Sequence, residues 1–128
     1  MIKFKPEKIT DDDIYYLVGP EMWDRIALKI KGKQIEFLHR NNGKYLRATA
    51  TVPELKPNKW YEIIATFSKK TGMTVYLNKK IISFNHLMNL PSSWSLYYIG
   101  ASGHPEKIIN SFNGWISEVL VYNCEINS

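Results

Sequence analysis

The sequence predicts an antiparallel all-β domain, a sandwich or a barrel, on three observations. Gly, Pro and Asn cut it into short apolar runs about ten residues apart, the rhythm of strands joined by turns. Inside those runs apolar and polar residues alternate, the period of a strand with one face on a core. Helical spacing of apolar residues is hard to find anywhere in the chain.

The elements follow in order. Ile2 opens a charged, alternating segment, and Asp11-Asp12-Asp13 precedes a strand from Ile14 to Val18. In the next strand Ile26, Leu28 and Ile30 face one way and Arg25, Ala27 and Lys29 the other. Lys31-Gly32-Lys33 makes a tight turn into Gln34 to His39, where Ile35 and Phe37 continue the buried face beside outward Gln34 and Glu36. Asn41-Asn42-Gly43 tolerates positive φ, and the chain returns through Tyr45 to Val52 with Leu46, Ala48, Ala50 and Val52 inside. The three strands make a meander.

Two prolines mark Pro53 to Lys59 as a loop, and the aromatic and β-branched run Trp60 to Ser68 reads as the central strand. Lys69-Lys70-Thr71-Gly72 turns the chain into Met73 to Leu77. Asn78-Lys79 turns it again, so that Lys80 to Phe84 pairs back. Asn85 to Ser95 is irregular, a short strand runs from Leu96 to Ile99, and Ala101 to Ser111 reads as a loop. The last strand spans Phe112 to Tyr122, with Gly114 marking a bulge or a close backbone approach.

A chain of 128 residues with 45% hydrophobic content suits one domain over residues 1–128 with its own core. Lysine and arginine number 17 against 12 acidic residues, a formal charge of +5. That balance favours acidic partners and equally suits an ordinary solvated surface. Cys124 is the sole cysteine, which excludes an internal disulfide and a multi-thiolate zinc site. No apolar run resembles a secretion signal or a membrane span, so membrane insertion is not expected.

Three segments carry a resemblance. Leu55 to Phe67 holds a Pro-containing turn, Trp60 and an apolar strand; Met73 to Lys80 holds a Tyr-apolar-Asn hairpin at Tyr76, Leu77 and Asn78. Tyr98-Ile99-Gly100 is followed by Phe112-Asn113-Gly114-Trp115-Ile116-Ser117-Glu118-Val119-Leu120-Val121-Tyr122. In this order and spacing they resemble the laminin G-like branch of the concanavalin A-like lectin and glucanase superfamily. The resemblance implies a two-sheet jelly-roll sandwich, a non-catalytic role in binding glycans or protein surfaces, and an extracellular, cell-surface or virion setting. It also implies strands before Ile2 and a tail beyond Ser128, so the chain is expected to be either a trimmed sheet or a piece of a longer protein.

Each residue of the resemblance also has a local reading. Trp60 is expected to cap the edge of the core. Glu118, amid apolar neighbours, is expected to pair with a cation. Glycanases of the superfamily carry a Glu-x-Asp-x-x-Glu-like cluster, because retaining hydrolysis needs carboxyls about 5 Å apart. The cluster is missing here, and no catalytic residue is expected. Asp11-Asp12-Asp13 reads as a solvated turn whose rival is a calcium site, although consecutive side chains diverge where ligands normally alternate. Calcium is the one cofactor left open, since some relatives hold it in a rim loop. His39, His86 and His104 lack ligand spacing, and Gly100 to Gly103 is a plain loop with no helix behind it.

The strand phase of the meander gathers the candidate binding residues. Arg25, Lys29, Gln34, Glu36, Tyr45 and Arg47 share the face opposite the core. An arginine fork matches carboxylates and sulfates, and a tyrosine ring stacks on the apolar side of a sugar, so an acidic glycan fits. The competing reading pairs Glu36 with Arg47 or Arg25 across strands on an ordinary solvated sheet. Trp23 and Trp94 offer a rival site at the sandwich rim, and each reads equally as a lid on the core. The expected function is therefore a recognition module for glycan or a protein surface. Its alternative is a virion or surface-layer domain that self-associates through an open sheet edge. Nucleic acid is not an expected partner, because charge alone prompts it.

Overall fold

A computed structural model describes residues 1–10, 14–19, 26–41, 44–68, 72–86, 98–99, 102–104, 107–109 and 112–120. The strands are β1 (Ile2–Pro6), β2 (Ile14–Gly19), β3 (Ile26–Lys31), β4 (Gln34–Asn41), β5 (Lys44–Thr51) and β6 (Tyr61–Ser68). They continue with β7 (Gly72–Leu77), β8 (Lys80–Asn85), β9 (Tyr98–Ile99), β10 (Ser102–His104), β11 (Lys107–Ile109) and β12 (Gly114–Val119). One five-stranded sheet has the order β12-β1-β6-β7-β8, a second the order β5-β4-β3-β2-β9, and β10 pairs with β11 in a small hairpin. Every pairing is antiparallel. The predicted two-sheet sandwich is what forms.

The two sheets bury their inner faces against each other. Ile2, Phe4, Tyr61, Ile63, Met73, Val75 and Leu77 come from the first, and Leu17, Leu28, Ile30, Ile35, Phe37 and Ala48 from the second. Phe4 is fully buried, stacks on Tyr61 at 5.7 Å and meets the edge of Phe112 at 5.9 Å. The Tyr61 hydroxyl accepts from Lys56 N–H at 2.7 Å and donates to the Glu54 carbonyl at 3.2 Å. This ties down the loop that plugs Leu55 into the core.

The turns behave as their residues dictate. Gly32 has φ of 57°, and Asn78 and Lys79 have φ of 49° and 71°, the mirror-type geometry that suits the right-handed twist of two-residue hairpins. The meander has the expected register, Lys31 facing Gln34 and Phe37 facing both Leu28 and Ala48. The run Tyr61–Ser68 is the middle strand of its sheet, as the composition predicted.

Several expectations are corrected. Ala101 to Ser111 is not a plain loop, since it contains the β10–β11 hairpin; three-residue strands around Pro105 are too short to show a period. The final strand begins at Gly114, not Phe112. Trp60 does not cap the core: it is 46% exposed, and Tyr61, one position on and hence on the opposite face, takes the inward place. The bulge falls at Ser117, the extra residue between Ile116 opposite Phe4 and Glu118 opposite Lys3. Gly114 is the close approach, where a Cβ would run into the Lys5 carbonyl and the Phe112 ring.

β8 reverses the usual pattern of a sandwich strand. Its inward Ser83 and Asn85 are polar, and they donate to the carbonyls of Thr49 at 3.0 Å and Arg47 at 2.8 Å on the free side of β5. The seam between the sheets is thereby closed by side chain to backbone hydrogen bonds, which occupy two edge acceptors.

Urea unfolding should rank three variants. Phe4→Ala should cost about 3–5 kcal/mol through the cavity it leaves, Gly114→Ala about 1–3 kcal/mol through overpacking, and Tyr61→Phe about 1 kcal/mol through its lost hydroxyl bonds.

Candidate functional site

The outer face of the meander is built in cross-strand rows. Tyr16, Lys29, Glu36 and Thr49 form one row across β2, β3, β4 and β5; Ala27, Leu38 and Arg47 form the next; Lys31, Gln34 and Thr51 form a third. Tyr45 lies on the same face of β5 as Arg47, two residues away.

The chemistry centres on Glu36. Its Oε1 lies 3.7 Å from Lys29 Nζ and 3.5 Å from Arg47 Nε, at ion-pair rather than hydrogen-bond distance. Lys29 and Glu36 keep only 11% and 13% of their side chains exposed, whereas Arg47 keeps 47%. The Lys29 ammonium also lies 5.7 Å from the centre of the Tyr16 ring. A half-dehydrated carboxylate is thus flanked by two cations, one sunk in the sheet and one standing out of it. The cluster carries one net positive charge.

Arg47 is braced a second time, with its guanidinium carbon 4.6 Å from the centre of the Tyr45 ring. Tyr45 is 39% exposed. The expected cross-strand pairing of Glu36 with Arg47 therefore forms, and it orients the arginine without covering it. Of the predicted residues, Lys29, Glu36, Tyr45 and Arg47 come together, and Gln34 is exposed one row away between Lys31 and Thr51. Arg25, Trp23 and Trp94 lie outside the described residues, as do Asp11-Asp12-Asp13, Gly100 and Cys124.

The face is less solvated than its residues suggested. Ala27, Leu38 and Tyr16 are buried there as a second, smaller apolar cluster with Ile14 packed against it. His39 is also fully buried, but on the core side with Ile35 and Phe37. Among the described residues no group of three or more His, Cys, Asp or Glu side chains is placed to hold a metal ion.

The opposite sheet holds a cluster the sequence reading missed. Lys5 places its ammonium 4.5 Å from the centre of the Trp115 ring and 5.3 Å from that of Trp60. Both indoles are about half exposed, at 48% and 46%. The next row runs Glu118, Lys3 and Glu62, with Lys3 and Glu118 paired at 3.4 Å as expected for Glu118. Strand phase in Ile2–Pro6 would have placed Lys3 and Lys5 outward. No local signal joins them to residues more than fifty positions on.

A family profile described as the concanavalin A-like lectin/glucanases superfamily matches residues 4–128. Among solved structures, the chain is similar to the mouse laminin alpha1 chain, domains LG4-5, with a TM-score of 0.64 and 19% sequence identity. That likeness covers 90% of this chain and 32% of the other, so the chain spans about a third of the solved structure; at this identity it is a likeness of fold. No curated protein matches the chain.

Two ion pairs separate by burial. Glu36→Ala leaves Lys29 nearly buried beside a second cation and should cost about 1–3 kcal/mol. Glu118→Ala breaks an exposed pair and should cost less than about 1 kcal/mol. Urea midpoints of the two variants measure the contrast.

Proposed function

The chain belongs to the concanavalin A-like lectin/glucanases superfamily, in its laminin G-like branch, and from that membership we propose that it is a non-catalytic recognition module binding acidic glycan through Tyr45 and Arg47. Domains of this kind commonly mediate binding of carbohydrate or protein. The superfamily also includes glycosidases, and the sequence lacks the carboxylate cluster those use.

One observation carries the ligand class: Arg47 stands half exposed, stacked on Tyr45 and held at its Nε side by Glu36. An arginine has five N–H donors, so one contact leaves donors for a carboxylate or sulfate. A side chain already held in place loses less conformational freedom on binding. The Tyr45 ring, 39% exposed, supplies aromatic surface for a sugar, and Gln34 supplies an amide within the same sheet face. Lys29 and Glu36 shape the site from below, their side chains too deeply set to make the main contacts.

A second reading, a self-assembling structural domain, is supported by β12. Among the described residues it pairs only with β1, and Trp115 and Leu120 on or beside it are exposed. An open strand edge is a template for a further strand.

A glycan array read with calcium and with chelator tests the leading reading. Sulfated or uronate-rich glycans should bind, more weakly at high salt, and Tyr45→Ala/Arg47→Ala should abolish the signal. A blank array together with a mass that rises with concentration would favour assembly.

A further inference from the structure

We infer that the outer face of the β12-β1-β6-β7-β8 sheet is a second carbohydrate-binding surface, one that takes an uncharged saccharide on Trp60 and Trp115. It goes beyond the acidic-glycan site, from which it differs in sheet, residues and ligand charge.

Three segments converge to make it. Trp60 ends the loop before β6, Lys5 lies on β1 and Trp115 on β12, directly opposite Lys5. Lysine between two indoles holds both rings by cation–π attraction while all three remain at the surface. Exposed tryptophans normally retreat into a core, since each ring carries a large apolar area. Here the strand phase and the Gly114 close approach leave them outside, and the core is completed without them.

The polar surroundings select the occupant. Beside Trp60 a shallow depression of about 250 Å³ is lined by Lys3, Trp60, Tyr61, Glu62, Asn78 and Ser117. Ser117 reaches this surface because it is the extra residue of the β12 bulge, a device that re-aims a side chain. Carboxylate, amide, hydroxyl and ammonium groups beside an indole match the hydroxyl rim and the C–H face of a pyranose.

The charged row argues against a dry protein partner. Glu118, Lys3 and Glu62 separate the two tryptophans from Ile64, Tyr76 and Ile81 further along the sheet. An apolar partner covering the whole face would bury that row and lose its hydration. A saccharide keeps the row wet and hydrogen-bonded. Lys3 is paired with Glu118, Lys5 is engaged by the two indoles, and the N-terminal ammonium lies near Glu62, so the charges of this surface already have partners and offer little to draw an acidic chain.

Calorimetric titration with cellohexaose, maltohexaose and mannohexaose tests the inference. At least one should bind, with an affinity little changed by salt. Trp60→Leu and Trp115→Leu, which keep apolar bulk and lose the ring, should each weaken it about tenfold or more. Tyr45→Ala/Arg47→Ala should leave it unchanged. Saturation-transfer NMR on the wild type, irradiating indole protons, should label the sugar's C–H protons whether or not the variants fold well. The inference is overturned if none of the three binds at millimolar concentration, if both tryptophan variants bind as wild type does, or if Trp60 and Trp115 instead mediate self-association without sugar binding. Retention of heparin fragments in those cases would leave the acidic-glycan reading standing.

Discussion

The first strand holds the molecule together. Among the described residues β1 lies between β12 and β6, so β12 joins its sheet through Ile2–Pro6. Its inward residues Ile2, Phe4 and Pro6 are buried, and Phe4 touches Tyr61 of the middle strand and Phe112 of the segment leading to β12. Its outward residues Lys3 and Lys5 meet Glu118 and the two indoles. The strict alternation of five residues thus supplies the centre of the core on one side and the polar frame of a surface on the other.

The two outer faces solve different physical problems. On the meander, a carboxylate with little solvent is stabilised by two cations, and the surplus charge is presented by an arginine that lies against its tyrosine. On the other sheet, Lys3 is paired with Glu118, Lys5 is engaged by two indoles, and aromatic surface is left over. One face is therefore suited to attraction that salt screens, the other to contact that salt hardly affects. The inward polar residues of β8 serve neither; they close the seam at β5 and occupy two of that edge's acceptors.

The meander was legible because everything that defines it is local. Clean alternation in Ile26 to Ile30, continued by Ile35 and Phe37 beside Gln34 and Glu36, with Gly32 at the turn, determines which side chains share a face, so Lys29, Glu36, Tyr45 and Arg47 could be grouped from spacing alone. Phase at a strand start was not legible: Trp60 and Tyr61 are both aromatic, and only the partner Phe4 decides which turns inward. The β10–β11 hairpin lacked a period, its strands being three residues long. The Trp60–Lys5–Trp115 cluster was invisible for a different reason, since antiparallel pairing of distant strands leaves no mark in either segment taken alone. Burial of Leu38 and Ala27 on the outward face likewise depends on neighbours that alternation does not report.

The pairing of β1 with β12 also sets an order of events during synthesis. Met1 and Leu120, which exchange backbone hydrogen bonds, are 119 positions apart. At ribosomal speeds of about 5–20 residues per second, β1 waits on the order of ten seconds for its last neighbour. Throughout that interval one side of a strand carrying Ile2 and Phe4 is open to any passing edge. Lysines at positions 3 and 5 are the residues that discourage such mispairing. The ammonium that ends up between two indoles is therefore also a charge of the kind that discourages strand addition while the edge of β1 is open.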